Sequence, residues 1–161
     1  MREDILNFLE KNGKLSPCEL AVMLGKNEAD IASEIEAMIS ESIICGCSTL
    51  INWEKTSREY VTALIEVKVI PQRGRGFDQI AERIYRFDEV QAVYLMSGGF
   101  DLTVIVEGRT IKDIALFVSD KLSPLESVLS TATHFVLKKY KDFGITLDNG
   151  PKDDERMIVS P

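Results

Sequence analysis

Val90-Gln91-Ala92-Val93-Tyr94-Leu95-Met96-Ser97-Gly98-Gly99-Phe100-Asp101-Leu102-Thr103-Val104-Ile105-Val106 is the stretch on which the fold turns. Two runs rich in β-branched and aromatic residues flank a glycine pair, so the segment reads as a strand over 90–97, a turn, and a second strand over 102–106. Glycine supplies the positive φ that tight turns demand, and Asp101 is placed to cap the turn locally. Before this stretch, Val61 to Ile70 reads as a strand, and Phe77, Ile80, Ala81, Ile84 and Tyr85 mark a helix. After it, Ile111, Ile114, Ala115 and Val118 mark a second helix, and Val128 to Lys139 reads as a last long strand.

The order βαββαβ is the ferredoxin-like split arrangement, an α+β fold. Its two helices cover one face of the sheet. In 102–106, Leu102, Val104 and Val106 point one way and Ile105 the other. In the last strand Val128, Ala132 and Val136 alternate with Leu129, Phe135 and Leu137, so neither face is cleanly polar. A second subunit packed on the open face is the expected solution.

The front of the chain has a different rhythm. Residues 2–12 read as a helix with Ile5, Leu6 and Leu9 on one face, ended by Asn12-Gly13 in left-handed geometry. Ser16 is an N-cap candidate, with Pro17 at the first helical position and Glu19 completing a capping box. Leu20, Ala21 and Leu24 form the buried stripe of that helix, and Gly25 stops it. A third helix over 28–41 carries Ile31, Ile35, Met38 and Ile39 at helical spacing. Ile43-Ile44-Cys45 and Thr49-Leu50-Ile51 flank Gly46 to Ser48 and read as a short hairpin. Three helices and a hairpin make a winged helix-turn-helix. The expected organisation is this module over 1–52, a linker over 53–60 anchored by Trp53, the ferredoxin-like domain over 61–145, and a charged tail over 146–161. In that tail Met157-Ile158-Val159 could dock as a strand.

Of the 161 residues, 45% are hydrophobic and 28% charged, ordinary values for a globular protein. No apolar run approaches the roughly 18–20 residues that span a bilayer, and no signal-peptide run follows the N-terminus, so a cytoplasmic location is expected. Three cysteines, Cys18, Cys45 and Cys47, do not form a disulfide framework. Cys45-Gly46-Cys47 could begin a metal site, but zinc takes four N or S ligands and the one histidine, His134, is far along the chain. Neither a metal nor a cofactor is expected. His134 reads as an edge or core residue, and Arg73-Gly74-Arg75-Gly76 as a solvated connector. With one histidine, no paired-carboxylate motif and no P-loop, a catalytic constellation is absent from the sequence and no enzyme activity is expected.

The residues at this point resemble the Lrp/AsnC (feast/famine) regulators over about 1–140. Ser97 to Val104, preceded by Phe87-Asp88-Glu89-Val90, is similar to the strand-turn-strand of that family's RAM-type sensing domain. Leu15-Ser16-Pro17-Cys18-Glu19-Leu20-Ala21 and Ile31 to Ile35 are similar to its helix-turn-helix. The resemblance implies homodimers built through the rear domains, with octameric rings as a further assembly. It also implies binding of double-stranded DNA, modulated by a small effector, typically an amino acid, held between sensing domains.

The resemblance places the effector near the glycine turn. Gly98 and Gly99 let a ligand approach backbone N–H groups that bind a carboxylate. Asp101 can pair with an amino group, Phe100 forms an apolar wall, and Thr131 and Thr133 supply polar lining. For DNA the candidates are Ala29, Asp30 and Ser33 on the exposed face of the third helix, Asn27 at its start, and Lys14, Lys26 and Lys55 for phosphates.

The charge pattern departs from this picture. The formal net charge is -7, and residues 1–57 hold five Lys or Arg against ten Asp or Glu. The third helix carries Glu28, Asp30, Glu34, Glu36 and Glu41 with no base, and Glu34 stands where the family usually has a basic residue. Acids in a first helical turn favour the helix but cancel the positive end that attracts phosphate. Weak, salt-sensitive DNA binding per dimer is expected, reinforced by multivalency in a larger assembly. The alternative is a ligand-sensing or protein-interaction oligomer with little DNA binding of its own.

Overall fold

The computed structural model describes residues 1–70 and 76–147. The chain divides into two compact units between Leu50 and Ile51, and each is described by itself. The Met157-Ile158-Val159 segment and Arg73-Gly74-Arg75 lie outside the described residues.

In the front unit, α1 (Arg2–Lys11), α2 (Pro17–Leu24) and α3 (Glu28–Ser40) enclose Ile5, Leu20, Ala21, Ile31 and Met38. Leu6, Leu9, Leu15, Leu24, Ile35 and Ile44 pack around them. Ile39, expected on the buried stripe, is 53% exposed. It lies one residue past Met38, and a 100° step carries it off the core face. Asn12 ends α1 in extended rather than left-handed geometry, with φ -148. Its Oδ1 accepts from the Lys14 N–H at 3.1 Å, a local turn that does the stopping.

The start of α2 is the expected capping box. The Glu19 N–H donates to the Ser16 hydroxyl oxygen at 3.2 Å, and the Glu19 carboxylate accepts from the Ser16 N–H at 2.8 Å. Gly25, at φ 61, closes the helix in the left-handed region, where glycine avoids the Cβ clash. Removing the cap by Ser16→Ala should lower front-unit stability by about 1 kcal/mol in denaturant unfolding. The Ser16 N–H first, and second the Ser16 hydroxyl, which also donates to the carboxylate at 2.8 Å, hold the Glu19 carboxyl below its ordinary range. A depressed folded pKa gives stability that is present above the unfolded value and fades as pH falls through the folded one. Ser16→Ala keeps the backbone bond and loses only the hydroxyl's smaller share, so the acid sensitivity of unfolding should shrink in part.

The expected wing hairpin is not formed: residues 43–51 carry no strand pairing. Ser42, at φ 58, turns the chain back under α3, and the Ile43 and Ile44 amides both donate to the Met38 carbonyl. The first arm thus spends its opening amides on a helix end. Three-residue arms around Gly46 to Ser48 have little side-chain area with which to compensate.

The rear unit is a four-stranded antiparallel sheet in the order β2-β3-β1-β4. Its elements are β1 (Val61–Val69), α4 (Asp78–Tyr85), β2 (Val90–Leu95), β3 (Leu102–Gly108), α5 (Ile111–Phe117) and β4 (Val128–Phe135). The βαββαβ order is as expected, and α5 runs on through a wider turn, Val118–Leu122. Ala63, Ile65 and Val67 pair with Val106, Val104 and Leu102, and this row is fully buried with Ile84 and Leu122. The other face carries Leu64, Glu66, Thr103, Ile105, Ala132 and His134 in register. There His134 Nε2 lies 3.4 Å from Glu66 Oε1.

Two strands end sooner than their composition suggests. β2 stops at Leu95, paired with Leu102, where β3 begins. β4 stops at Phe135 because β1 begins at Val61; the Val136 N–H donates to the Thr62 carbonyl, and beyond it no strand among the described residues continues the pairing. Both outer strands also lose register, β2 between Val90 and Ala92 and β4 opposite Lys68 and Val69. In β4 the extra residue is Leu129, which is exposed. A short hairpin that composition did not signal follows: β5 (Lys141–Asp142) and β6 (Ile145–Thr146) join through Phe143 and Gly144, both at positive φ.

Residues 53–60, expected as a linker, make contacts within the rear unit. Trp53 sits in a 3₁₀ turn, 5.9 Å from the Tyr60 ring, with the Arg58 guanidinium 4.4 Å over its face. Asn52 Nδ2 donates to the Leu147 carbonyl at 3.0 Å. Burial first, then the Glu107 carboxylate, pushes the Tyr60 phenol up to about 12.

Candidate DNA-binding face and effector turn

The helix-turn-helix is fixed by its caps. Gly25 and Lys26 amides return to Val22 and Ala21 carbonyls, and Asn27 Oδ1 accepts from the Ala29 N–H at 2.8 Å. Asn27 therefore has a structural duty, and its amide NH2 is what remains for a partner. Beyond it, Ala29, Asp30, Ser33 and Glu36 are exposed along one side of α3, while Ile31 and Met38 are buried on the other.

Lys14 and Lys26 are exposed and carry no ion pair among the described residues. Lys55 falls in the rear unit, in the Trp53 turn, so the front unit's own fold does not gather it with Lys14 and Lys26. Arg2 is committed elsewhere. Its Nε donates to Glu34 at 2.6 Å, and its Nη1 and Nη2 donate to the two Glu41 oxygens at 2.8 and 3.1 Å. This forked pair strengthens the protonated form of Arg2 and holds the Glu41 carboxyl below its ordinary range. Glu34, an anomaly in the sequence, thus has a use: with Glu41 it fastens the start of α1 to α3. The seven-residue spacing of the two acids, about two helical turns, was the available signal.

The glycine turn is built on backbone bonds. The Met96 N–H donates to the Asp101 carbonyl at 2.8 Å, and the Asp101 N–H to the Val67 carbonyl at 3.1 Å. Asp101 Oδ2 accepts from the Val69 N–H at 2.8 Å, so the carboxylate pins the end of β1 to the turn. Gly98 has φ 142, which a side chain would strain; at Gly99 the space where a Cβ would stand is open. Ser97, Gly98 and Gly99 are exposed and Phe100 is half-buried.

Thr131 is brought to the same end of the sheet as the turn, because Val67 pairs with Leu102 on one side and Thr131 on the other. β1 stands between them. Thr133 lies farther along, opposite Ile65. Both threonines are half-buried, on the face shared with Ile65 and Val67. A single chain therefore does not close a pocket around Asp101 and both threonines. A small concavity lined by Gly76, Gln79, Ile80, Arg83, Leu125 and Ser127 includes none of them. Among the described residues no group of three His, Cys, Asp or Glu could hold a metal ion, and no helix is long and apolar enough to cross a membrane.

Comparison with known proteins agrees with this architecture. The chain is 48% identical over 159 residues, 98% of its length and 95% of the other, to the uncharacterized HTH-type transcriptional regulator YugG of Bacillus subtilis. It is 25% identical over 141 residues, 88% of its length and 90% of the other, to the proline dehydrogenase transcriptional activator of Rhizobium radiobacter. Among solved structures, the leucine response regulatory protein of Mycobacterium tuberculosis superposes with a TM-score of 0.75 at 17% identity, covering 91% of this chain and 97% of that one. A Neisseria meningitidis transcriptional regulator solved as a complex with L-Met has a TM-score of 0.69 at 20% identity, covering 88% and 90%. Residues 62–145, the β1-to-β6 region that holds the glycine turn, match the Lrp/AsnC ligand binding domain. With that match over half of its length and a full-length relative at nearly half identity, the chain belongs to the Lrp/AsnC family.

Proposed function

We propose that this protein regulates transcription by binding double-stranded DNA through α2 and α3, under the control of a small effector, an amino acid, at the Gly98–Asp101 turn. The observation that carries the reading is the exposed side of α3, set against α2 by caps at both ends of the turn. Ala29 and Ser33 meet base edges there, Asp30 accepts from a cytosine amino group, and Lys14 and Lys26 take phosphates. The N–H groups at Gly98 to Phe100 take the effector carboxylate, and the Asp101 oxygen not used by Val69 takes its amino group. The site is completed when two rear units pair; Thr131 and Thr133, which lie on the face shared with Ile65 and Val67, do not line a seam between open faces. Homodimers, and rings of dimers, raise the DNA affinity that few cations per chain leave low. In this reading the protein acts in the cytoplasm, needs no cofactor and catalyses no reaction.

Titration of labelled promoter DNA with the assembled full chain tests it. Binding is expected near 50 mM salt and should weaken steeply by about 200 mM, since each phosphate contact releases counterions. No binding at the lower salt would leave the alternative, a sensing oligomer without DNA. Glu36→Gln removes an exposed acid from the face of α3 and should tighten binding about two- to fivefold per subunit, the size of one exposed charge interaction.

A further inference from the structure

The segment Cys45-Gly46-Cys47 is left unused by the reading above, and it sets two exposed thiols two residues apart. Both thiols are free and exposed. They lie in the stretch that forms no strand ladder, so bending it breaks no sheet pairing. On an extended chain, residues two apart point to the same side, with Cα atoms about 6.5 Å apart. That sits at the outer edge of the ~4.4–6.8 Å span a disulfide tolerates. Gly46 is the residue between them, and no atom lies within 4 Å of its Cβ position, so the chain is unobstructed where it must curl. Among the described residues, no third His, Cys, Asp or Glu joins them in a group that could hold a metal ion.

We propose that Cys45 and Cys47 are a reversible dithiol–disulfide couple that exchanges with small disulfides of the glutathione class. One cysteine, having given its proton to water, attacks a sulfur of the small disulfide. The S–S bond of the reagent breaks, a mixed disulfide forms, and one small thiolate leaves. The second cysteine, likewise deprotonated, attacks the protein sulfur of that mixed disulfide and expels the second small thiolate. Two protein thiols are oxidised, one small disulfide is reduced to two thiols, and the two protons lost by the protein balance the two thiolates.

Each sulfur is seated against a helix end, so closing the ring is felt there. The Cys45 thiol donates to the Ser42 carbonyl at 3.2 Å, and Ser42 is the left-handed residue that turns the chain beneath α3. A disulfide sulfur has no proton, so oxidation removes that bond. Cys47 Sγ lies 3.6 Å from the Cβ position of Gly13, just past α1. The ring must draw one sulfur from its seat, which loosens the turn whose Ile43 and Ile44 amides close α3 on the Met38 carbonyl.

The test uses the full chain carrying Cys18→Ser, so that the third thiol cannot cross-link. The protein is equilibrated with mixtures of reduced and oxidised glutathione, quenched in acid, alkylated and weighed. The expected product is two hydrogens lighter, takes no alkyl group, and yields a peptide closed between residues 45 and 47. Its oxidised-to-reduced ratio should change about tenfold for each tenfold change in oxidised glutathione at fixed reduced glutathione. Hydrogen exchange at the Ile43 and Ile44 amides should quicken in the oxidised form. Cys45→Ser or Cys47→Ser, in the same background, should instead retain glutathione as a mixed disulfide, with circular dichroism confirming that the helices persist. Two glutathione adducts on the Cys45/Cys47 protein, two alkylated thiols at every mixture, or bonds only between chains would overturn the proposal. These readouts follow thiols rather than DNA, so they stand or fall apart from the regulator reading.

Discussion

An Ile31→Ala variant of the full chain is expected to lose its front unit and keep its rear one. Ile31 is fully buried, and the core it completes contains just four other buried side chains, Ile5, Leu20, Ala21 and Met38. Deleting the buried atoms of a core isoleucine costs about 2–5 kcal/mol. Small domains start from a total of roughly 5 kcal/mol or little more, so this loss consumes most of what the front unit has. The core around Ile65, Val104 and Leu102 contains none of those residues. Far-ultraviolet circular dichroism should lose the helical signal of α1 to α3, and denaturant curves should retain a later transition from the sheet. DNA binding should vanish while any effector-induced thermal shift persists. A single transition that takes both units down together would refute independent unfolding.

The second large effect separates two duties of Asp101. Its Oδ2 accepts the Val69 N–H, so Asp101→Ala leaves that donor without its charged acceptor and should cost about 1.5–3 kcal/mol. An effector response lost in the same variant would be uninformative, since the turn itself is disturbed. Asp101→Asn is the sharper experiment. Its side-chain oxygen can still accept from Val69, while the negative charge offered to an amino group is gone. Thermal denaturation should place the Asn variant within about 1 kcal/mol of wild type, because the hydrogen bond survives in neutral form. In a screen of the common amino acids, its stabilisation should be absent. Full stabilisation of the Asn variant would remove Asp101 from the effector site and leave it as a cap.

Local chemistry was the legible part of this sequence. The Ser16 capping box, the Gly25 stop and the alternation of Leu102, Val104 and Val106 each depend on residues a few positions apart, and each appears as expected. What the sequence concealed depends on partners far along the chain. The length of β4 is set by where β1 begins, which the composition of 128–139 cannot report. The wing failed to pair because the Met38 carbonyl takes the amides of Ile43 and Ile44. Glu34 reads as a missing base, and the Arg2 that explains it lies 32 residues earlier. Of the candidate site residues, the turn's form was readable, but the strand lying between Asp101 and Thr131 follows from sheet order alone. Asn27 reads as polarity on a face, but its side chain caps α3, and Lys55 reads as charge for the same face but belongs to the Trp53 turn of the rear unit.

The misregistered rims of the sheet have a bearing on how copies of this chain avoid sticking. A flat outer strand is a template on which a neighbour can crystallise its own backbone, and fibres begin that way. Here both templates are spoiled, by Gln91 on one border and Leu129 on the other, each throwing the amide rhythm out of step by one residue. Growth sideways is frustrated at either border. Excising Gln91 or Leu129 would straighten a border, and the penalty to look for is gelation on storage rather than loss of fold.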